Sequence, residues 1–398
     1  MKLILLSKRM GAHGFGGVES QAESLSCAAV EQGHQVVVLT TAHPHGVTEE
    51  TIQGVSMRYL PETPAGVYSS AWWRHSADAV GRLLDQGFGD LMLSMNLAGY
   101  GVAGRTGIPH YAWSTGKTLS HLISEWHNWS GFAGLAAYPK HALACCYYAW
   151  IEARLWARLD GIIAEDDQLY ENLIADGRPA LRFYAGVDPR QFRPDPDLRA
   201  ATRRKLGIPP GAQVLVMAAT VNRQKGIGLG VEAFQGLASH RGDLHLLVLG
   251  DGPDRPRLEK NLQRSACGKR VIFAGSVPWR ETPGYWAAAD LLLYPTLRRE
   301  GIPRAIIEAM AAGLPVIASD RGGIRSAVRH GETGILLSVP EVGVLMETIA
   351  RILVDSDGRA SMSRRARARA LECFDVRAIV AQLLQTLDPA HGKNHEGH

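Results

Sequence analysis

The chain has 398 residues, of which 46% are hydrophobic and 21% are charged, and its formal net charge is +4. This composition is ordinary for a soluble globular protein, and the length allows two domains, each with its own core. No apolar stretch approaches the roughly 18 residues that a membrane-spanning helix requires, so the sequence predicts no such helix. The small positive charge suits anionic ligands or an anionic membrane surface, although a solvated basic face is its commoner cause.

Short apolar runs typical of buried strands alternate with helical patterns along the whole chain. In chain order, the predicted strands are residues 3–6, 34–40, 90–95, 212–219, 244–250, 270–275, 290–295 and 314–319. Helical patterns begin near residue 18 and cover 70–84 and 141–159, and two more helices are expected near the end. Continuous apolar strands alternating with helices indicate parallel sheets that are covered on both faces. The predicted fold class is therefore α/β.

The alternation restarts once, after a segment rich in proline, aspartate and arginine at 182–200. We therefore predict two doubly wound, Rossmann-like domains that face each other across a cleft, with ligands bound beyond the carboxyl ends of the strands. The predicted division is 1–188, 189–370, a C-terminal helix at 371–387 and a disordered tail at 388–398.

Two glutamates mark the segment REGIPRAIIEAMAAGLPVIAS, residues 299–319. Glu300 lies in the loop after a predicted strand, and Glu308 lies about one and a half turns into the next helix. A carboxylate accepts hydrogen bonds from both hydroxyls of a vicinal diol, and the first turn of a helix attracts phosphate. The pair is thus suited to grip a ribose and a sugar on either side of a diphosphate. The alternative is that Glu308 is a partly buried structural glutamate paired with an arginine.

Cations and glycines follow other strands at the same kind of position. Arg223 and Lys225 come just after a strand and just before a helix, where two cations can clamp a diphosphate and stabilise its charge as it leaves. Gly16 and Gly17 follow the first strand and open the first helix, so that backbone N–H groups can approach a phosphate or sugar.

Together these motifs resemble the GT-B glycosyltransferases of the large retaining family 4. The resemblance covers most of residues 1–355 and is strongest in the C-terminal half. The residues that carry it are GGVE (16–19), GVDPRQFRP (186–194), RQKG (223–226), LGDGPDRPRLE (249–259), VIFAGSV (271–277) and the E-x7-E pattern of Glu300 and Glu308.

The resemblance implies a retaining enzyme that moves a sugar from a nucleoside-diphosphate sugar to an acceptor hydroxyl. Arg223 and Lys225 would hold the diphosphate, and Glu300 would face the sugar hydroxyls. Glu308 would take the ribose hydroxyls.

For the backbone, the resemblance implies that the N–H groups of Gly301 and Ile302 lie near the sugar or phosphates. Gly16 and Gly17 would close over the donor. No metal and no other cofactor is expected, and the last helices would pack back on the N-terminal domain.

The chain departs from the family pattern at two positions. Many members have an arginine five residues before the lysine, and here Thr220 stands in that place. Arg223 lies nearer to Lys225 and can still reach a phosphate, but its role is less secure than that of Lys225. Thr115 stands where many relatives have a histidine, and a hydroxyl does not replace an imidazole. The nearby histidines are His110, His121 and His127, and each is more often structural than functional. This departure leaves open a degenerate donor-binding module that acts as a partner subunit.

A second alternative is an epimerase-like GT-B enzyme, which needs no acceptor site. Tryptophans in the N-terminal half favour an acceptor, because indole rings stack on sugars and also sit at membrane interfaces. Seven of the nine lie there: Trp72, Trp73, Trp113, Trp126, Trp129, Trp150 and Trp156. Residues 70–84 and the segment YYAWIEARLWARL predict amphipathic surfaces that touch an anionic membrane.

The sequence also predicts a location for the enzyme. The five cysteines form no CxxC pair, which favours reduced thiols in the cytoplasm, and the N-terminal apolar run is too short for a signal peptide. We therefore expect a cytoplasmic enzyme, at the inner face of the membrane, that builds a cell-surface polysaccharide or lipopolysaccharide. The alternative is a soluble enzyme whose acceptor cleft is rich in aromatic residues. Its partners would be a nucleotide sugar and a saccharide or lipid-linked acceptor, and no nucleic acid.

Overall fold

The computed structural model describes residues 1–14, 16–119 and 132–388. They form two compact units: the first comprises the described residues up to 119 together with 138–186 and 375–388, and the second comprises 132–137 and 187–374. The histidines His121 and His127, which were weighed as site residues, the tryptophans Trp126 and Trp129, and residues 389–398 of the predicted tail lie outside the described residues.

The first unit contains an eight-stranded sheet in the order β3-β4-β2-β1-β5-β6-β7-β8. Its strands are β1 (Lys2–Leu6), β2 (Gln35–Thr41), β3 (Glu49–Ile52), β4 (Val55–Leu60), β5 (Leu91–Met95), β6 (His110–Ser114), β7 (Gly161–Ala164) and β8 (Ala180–Arg182). The central strands are buried almost throughout, as expected of parallel strands that helices cover on both faces. The sheet changes winding direction between β1 and β5.

One strand pair of this sheet is antiparallel, which the sequence analysis missed. β3 and β4 form a hairpin whose turn residues Gln53 and Gly54 have φ of 50° and 81°. Both central residues of a tight hairpin turn adopt positive φ, and glycine suits the second place. β3 is half exposed at the sheet edge, so it lacks the apolar run by which buried strands are recognised.

Helices cover both faces of the first sheet. They are α1 (Gly17–Glu31), α2 (Ser70–Asp85), α3 (Phe132–Trp156), α4 (Asp167–Ala175) and the last helix of the described chain, α13 (Val376–Leu387). Ser69 and Asp166 cap α2 and α4 by accepting a hydrogen bond from a first-turn N–H. The apolar face of α13 joins the core that α1 and β2 share, through Ile379, Val380 and Leu383.

The second unit contains a six-stranded sheet in the order β11-β10-β9-β12-β13-β14, and all of its strand pairs are parallel. Its strands are β9 (Gln213–Ala218), β10 (Leu244–Leu249), β11 (Val271–Gly275), β12 (Leu291–Tyr294), β13 (Val316–Ser319) and β14 (Gly334–Leu337). Relative to the unit's first strand this is the 3-2-1-4-5-6 order of a Rossmann sheet. Its switch point lies between β9 and β12, and ligands bind beyond the carboxyl ends of strands at such points.

The helices of the second unit alternate with its strands. They are α5 (Pro196–Leu206), α6 (Ile227–Ala238), α7 (Arg255–Leu262), α8 (Thr282–Ala288), α9 (Arg304–Ala311), α10 (Ile324–Ala327), α11 (Val342–Val354) and α12 (Ser356–Cys373). One core gathers Leu215, Phe234, Leu246, Leu293 and Ile349 from strands and helices. The α/β fold class predicted from the sequence is confirmed.

No helix among residues 1–14, 16–119 and 132–388 is both long enough and apolar enough to cross a bilayer.

Candidate functional site

Two loops meet at the switch point of the second unit. The backbone oxygen of Gln224, in the short 3-10 turn after β9, accepts the N–H of Leu297 at 2.7 Å, and the hydroxyl oxygen of Thr296 lies 3.2 Å from it. Gly226 has φ of 68°, and a Cβ there would lie 1.9 Å from the carbonyl oxygen of Pro295. The loops approach each other so closely that only glycine fits.

Lys225 and Glu300 project from these two loops and form an ion pair. The Nζ of Lys225 lies 2.5 Å from the Oε2 of Glu300, and both side chains are largely buried, at 16% and 13% exposure. The hydroxyl of Tyr294 donates to Oε2 at 3.1 Å, and the hydroxyl of Thr296 donates to Oε1 at 2.8 Å. The carboxylate is therefore held in one orientation from both sides.

This arrangement keeps Glu300 ionised. Burial alone would raise the pKa of its carboxyl, but the charge and hydrogen bond of Lys225, the charge of Arg298 and the hydroxyl of Thr296 together lower it below the usual value. The site thus carries a fixed negative charge next to a fixed positive one.

The backbone of Glu300 is held as firmly as its side chain. The N–H of Gly323 donates to the carbonyl oxygen of Glu300 at 2.8 Å. The preceding Gly322 has φ of 53°, and a Cβ there would lie 2.2 Å from the same oxygen. The Gly-Gly turn after β13, formed by Gly322 and Gly323, thus supports the Glu300 loop through packing.

Glu308 lies in the second turn of α9 and is buried. Its Oε1 lies 3.3 Å from the Nε of Arg304, one turn earlier, and the two side chains are only 8% and 7% exposed. Burial raises the pKa of the Glu308 carboxyl, although Arg304 opposes the rise. This ion pair is the one expected if Glu308 has a structural role. Ribose binding by Glu308 remains a prediction.

The other predicted residues of the second unit surround the Lys225–Glu300 pair. Arg223 starts the same 3-10 turn as Lys225, and its side chain is exposed. Ile302 is buried at 3% exposure, so a ligand can meet only its backbone. Gly301 lies between Glu300 and Ile302 and is half buried, just before α9 begins at Arg304.

The first unit has an open pocket at its own switch point. The pocket has a volume of about 530 Å³ and is lined by residues that follow β1, β5 and β6, by the start of α1 and by α3. Gly17 and Thr115, both predicted site residues, line it together. Gly16 is the N-cap of α1 and is exposed next to it.

Thr115, which stands in the place of the family histidine, is bound to Asn96. The backbone N–H and the hydroxyl of Thr115 both donate to the Oδ1 of Asn96, each at 3.1 Å. Asn96 has φ of 51°, an uncommon conformation that asparagine tolerates better than most residues. Because a backbone N–H can only donate, the amide oxygen faces Thr115, and the amide nitrogen of Asn96 is left as a donor.

Glu152 of α3 is a second buried carboxylate on the wall of this pocket. It is 8% exposed, and both of its oxygens lie 3.1 Å from the backbone nitrogen of Thr118, whose hydroxyl donates to Oε1 at 2.8 Å. Burial raises the pKa of Glu152 to about 7, while Thr118 and Lys117 oppose the rise. Sequence reasoning missed Glu152, because it lies on a long helix that carries no motif.

Cations line the part of the pocket that follows β1. The ammonium of Lys8 lies 4.6 Å from the ring centroid of Tyr68, and burial lowers the pKa of this ammonium. Arg9 pairs with Glu19 of α1 at 3.3 Å. The pocket therefore presents both positive and negative groups to a ligand.

His110, weighed as a site residue, is buried in β6 outside this pocket. Its Nε2 lies 3.0 Å from the Oγ of Ser94, and burial lowers its pKa to about 3, so the ring is neutral at physiological pH. No histidine is among the residues 1–119 and 132–388 that line the pocket. Three of the predicted aromatic residues, Trp72, Trp113 and Trp156, are core residues.

Two family models match consecutive parts of this chain. One is described as a glycosyl transferase 4-like domain and matches residues 16–183, and the other, glycosyl transferases group 1, matches 199–369. The sucrose-phosphate synthase of Thermosynechococcus elongatus has the same fold, with a TM-score of 0.80 over 99% of this chain and 100% of its own, at 20% identity. The chain belongs to the GT-B glycosyltransferases.

Two further proteins are similar to this chain. A GDP-mannose-dependent alpha-(1-6)-phosphatidylinositol monomannoside mannosyltransferase of Mycolicibacterium smegmatis is 30% identical over 208 residues, which are 51% of this chain and 54% of that protein. The chain spans about half the length of the curated relatives it matches. The Anabaena protein Alr3699/HepE, solved with UDP and glucose, superposes with a TM-score of 0.72 over 98% of this chain and 100% of its own, at 20% identity.

Proposed function

We propose that this GT-B glycosyltransferase belongs to the retaining family 4 and moves a sugar from a nucleoside-diphosphate sugar to an acceptor hydroxyl, without a metal or other cofactor. The observation that carries the proposal is the Lys225–Glu300 pair at the switch point of the second unit. Its charges suit the two parts of such a donor, the diphosphate and the sugar hydroxyls.

Lys225 serves the leaving group in this proposal. An ammonium has three N–H bonds, and in the structure two partners lie within reach, Glu300 at 2.5 Å and the hydroxyl of Tyr294 at 3.3 Å. The third N–H is available to a phosphate oxygen, where the positive charge stabilises the negative charge that develops as the diphosphate leaves. Arg223, on the same turn, supplies a second cation to the diphosphate.

Glu300 and the backbone around it serve the sugar. The carboxylate stays ionised and is held in one orientation. It therefore accepts hydrogen bonds from the hydroxyls of the donor sugar without first having to reorient. The N–H groups of Gly301 and Ile302 precede α9, whose N-terminus favours negative charge. The bond from the anomeric carbon to the diphosphate breaks, the acceptor oxygen bonds that carbon on the same face, and its proton passes to the leaving phosphate.

The pocket of the first unit offers a place for an acceptor. A transferase needs such a site and an epimerase does not, so the pocket favours a transferase. Its volume of about 530 Å³ is in the range that holds a small saccharide. The name of the mycobacterial relative includes GDP-mannose and a phosphatidylinositol glycolipid, and the Anabaena structure contains UDP and glucose. These names support a nucleotide sugar as donor and a saccharide or lipid-linked acceptor, and we place the reaction in cell-surface polysaccharide or lipopolysaccharide synthesis, as expected from the sequence.

The proposal is tested by incubating the protein with GDP-mannose, UDP-glucose and related donors, together with a cell-envelope glycolipid extract. We expect one donor to release its nucleoside diphosphate and to place its sugar in the extract with the anomeric configuration kept, in the presence of EDTA. Binding of a donor without transfer to any fraction would indicate a degenerate module. Conversion of one sugar nucleotide into another would indicate an epimerase.

We also propose that the enzyme works in the cytoplasm, at the inner face of the membrane. Leu143, Tyr147 and Trp150 form an exposed apolar stripe on α3, at 73%, 54% and 47% exposure, and the guanidinium of Arg154 stacks 3.9 Å from the Trp150 ring centroid. Apolar residues next to a cation suit an anionic bilayer surface. Flotation with anionic liposomes at low salt should carry the wild-type protein and fail for Trp150→Glu, and absence of wild-type binding would refute the idea.

A further inference from the structure

The buried carboxylate of Glu152 has no part in the donor chemistry, and the described residues around it satisfy only part of its hydrogen-bonding capacity. Thr118 supplies two donors, its N–H and its hydroxyl, whereas a carboxylate has about four acceptor positions. A desolvated carboxylate gains most from additional hydrogen-bond donors. Because Glu152 lines the pocket, a ligand in the pocket can supply them.

Asn96 offers the complementary group on the wall formed by β5. Its amide oxygen accepts from the N–H and the hydroxyl of Thr115, so its amide nitrogen remains to donate. A hydroxyl group both accepts and donates hydrogen bonds, and a polyol presents several of them. An acceptor group and a donor group on one pocket therefore fit a polyhydroxylated ring.

We propose that Glu152 determines acceptor specificity by accepting a hydrogen bond from a hydroxyl of a cyclic polyol, either a sugar or a cyclitol, bound in the pocket of the first unit. This inference rests on the proposed function, because a polyol bound there is the acceptor of the transfer. Thr118 is a positioning residue, since its two hydrogen bonds fix the carboxylate at the pocket wall.

The ionisation of Glu152 gives binding a characteristic pH dependence. The ionised carboxylate accepts hydrogen bonds with both oxygens, whereas protonation turns one oxygen into a donor. Burial raises the pKa of Glu152 to about 7, so this change takes place near neutral pH. The apparent dissociation constant is then expected to rise about tenfold from pH 9 to pH 6. Among the residues that the structure describes, the other titratable groups that face the pocket or Glu152 are Lys8, Arg9, Glu19, Tyr68, Lys117 and Tyr148.

The test is saturation-transfer NMR titration of myo-inositol and of methyl α-mannopyranoside at pH 6 to 9. We compare the wild type, Glu152→Gln, Thr118→Val, and Glu171→Gln as a matched exposed glutamate on α4 of the same unit. We expect one polyol to bind the wild type and Glu171→Gln with the predicted pH dependence. Glu152→Gln should bind at least tenfold more weakly at pH 9 and without that dependence, and Thr118→Val should be intermediate.

Equal affinity and equal pH dependence in Glu152→Gln and wild type would overturn the inference, and so would a result in which neither polyol binds the wild type. Glu152→Gln keeps the shape of the side chain, and a thermal melt confirms that each variant is folded. Nucleoside-diphosphate binding is measured separately on the wild type. Its absence would refute the proposed function, whereas the polyol titration alone decides the role of Glu152.

Discussion

Replacement of Lys225 by methionine is expected to lower the rate of sugar transfer by about 10²–10³-fold, the usual effect of removing a charge that stabilises a leaving group. The variant also leaves Glu300 as a buried carboxylate without its cation, since only hydroxyls and the charge of Arg298 remain around it. Such a loss lowers the free energy of unfolding by about 3 kcal/mol at pH 8. Steady-state kinetics and urea unfolding measure the two effects.

A double variant separates chemistry from folding at this pair. Lys225→Met with Glu300→Gln removes both charges, so we expect most of the stability to return while transfer stays low. Lys117→Met is the matched control, because Lys117 also lies 2.5 Å from a carboxylate, that of Asp176, but on an exposed surface. Its effect on stability should be within about 1 kcal/mol. Recovery of transfer in the double variant would show that Lys225 acts only as a structural partner.

Glu308→Gln is expected to weaken binding of the nucleoside diphosphate by about 10–100-fold, because a carboxylate that accepts from two ribose hydroxyls is replaced by an amide with one acceptor oxygen. Isothermal titration with the preferred nucleotide measures this. The ion pair with Arg304 requires its own control, since Glu308 is buried against it.

Arg304→Met provides that control, because it removes the pair and keeps the carboxylate. We expect Arg304→Met to lower stability at pH 8, where Glu308 would be an unpaired buried charge, and to change the nucleotide dissociation constant less than about threefold. If both variants weaken nucleotide binding equally, Glu308 acts through Arg304 as a structural residue, and the ribose assignment is wrong.

Much of this fold was predictable from local sequence. Each of the eight predicted strands is present, because buried parallel strands are short apolar runs whose signal needs no tertiary context. Six strands of the described residues were not predicted: the edge hairpin β3–β4, whose signal lies in the turn residues Gln53 and Gly54, and the strands β6, β7, β8 and β14, which have only three to five residues each. Edge strands are defined by the neighbour they pair with, which sequence alone does not supply.

The candidate site was predictable only where it follows strand ends. Lys225 and Glu300 were expected near the carboxyl edge of the second sheet, and the structure places them in contact. Tyr294 and Thr296 orient Glu300 through their hydroxyls, but the sequence showed them only as the end of a strand and the start of a loop, with no role at the site. Glu152 reaches its pocket from a long helix, and its ionisation depends on burial, so no spacing in the sequence reveals it.

The most direct test of the account is the melting temperature of the wild-type protein with UDP, GDP, ADP, TDP and CMP and their sugars, each with EDTA. A ligand that binds only the folded state raises the melting temperature, by an amount that reflects its concentration relative to its dissociation constant. The account predicts a clear rise with one nucleoside diphosphate and its sugar, unchanged by EDTA and reduced in Lys225→Met and Glu308→Gln. A rise that EDTA abolishes would contradict the metal-free site, and no rise with any nucleotide would contradict the donor site itself.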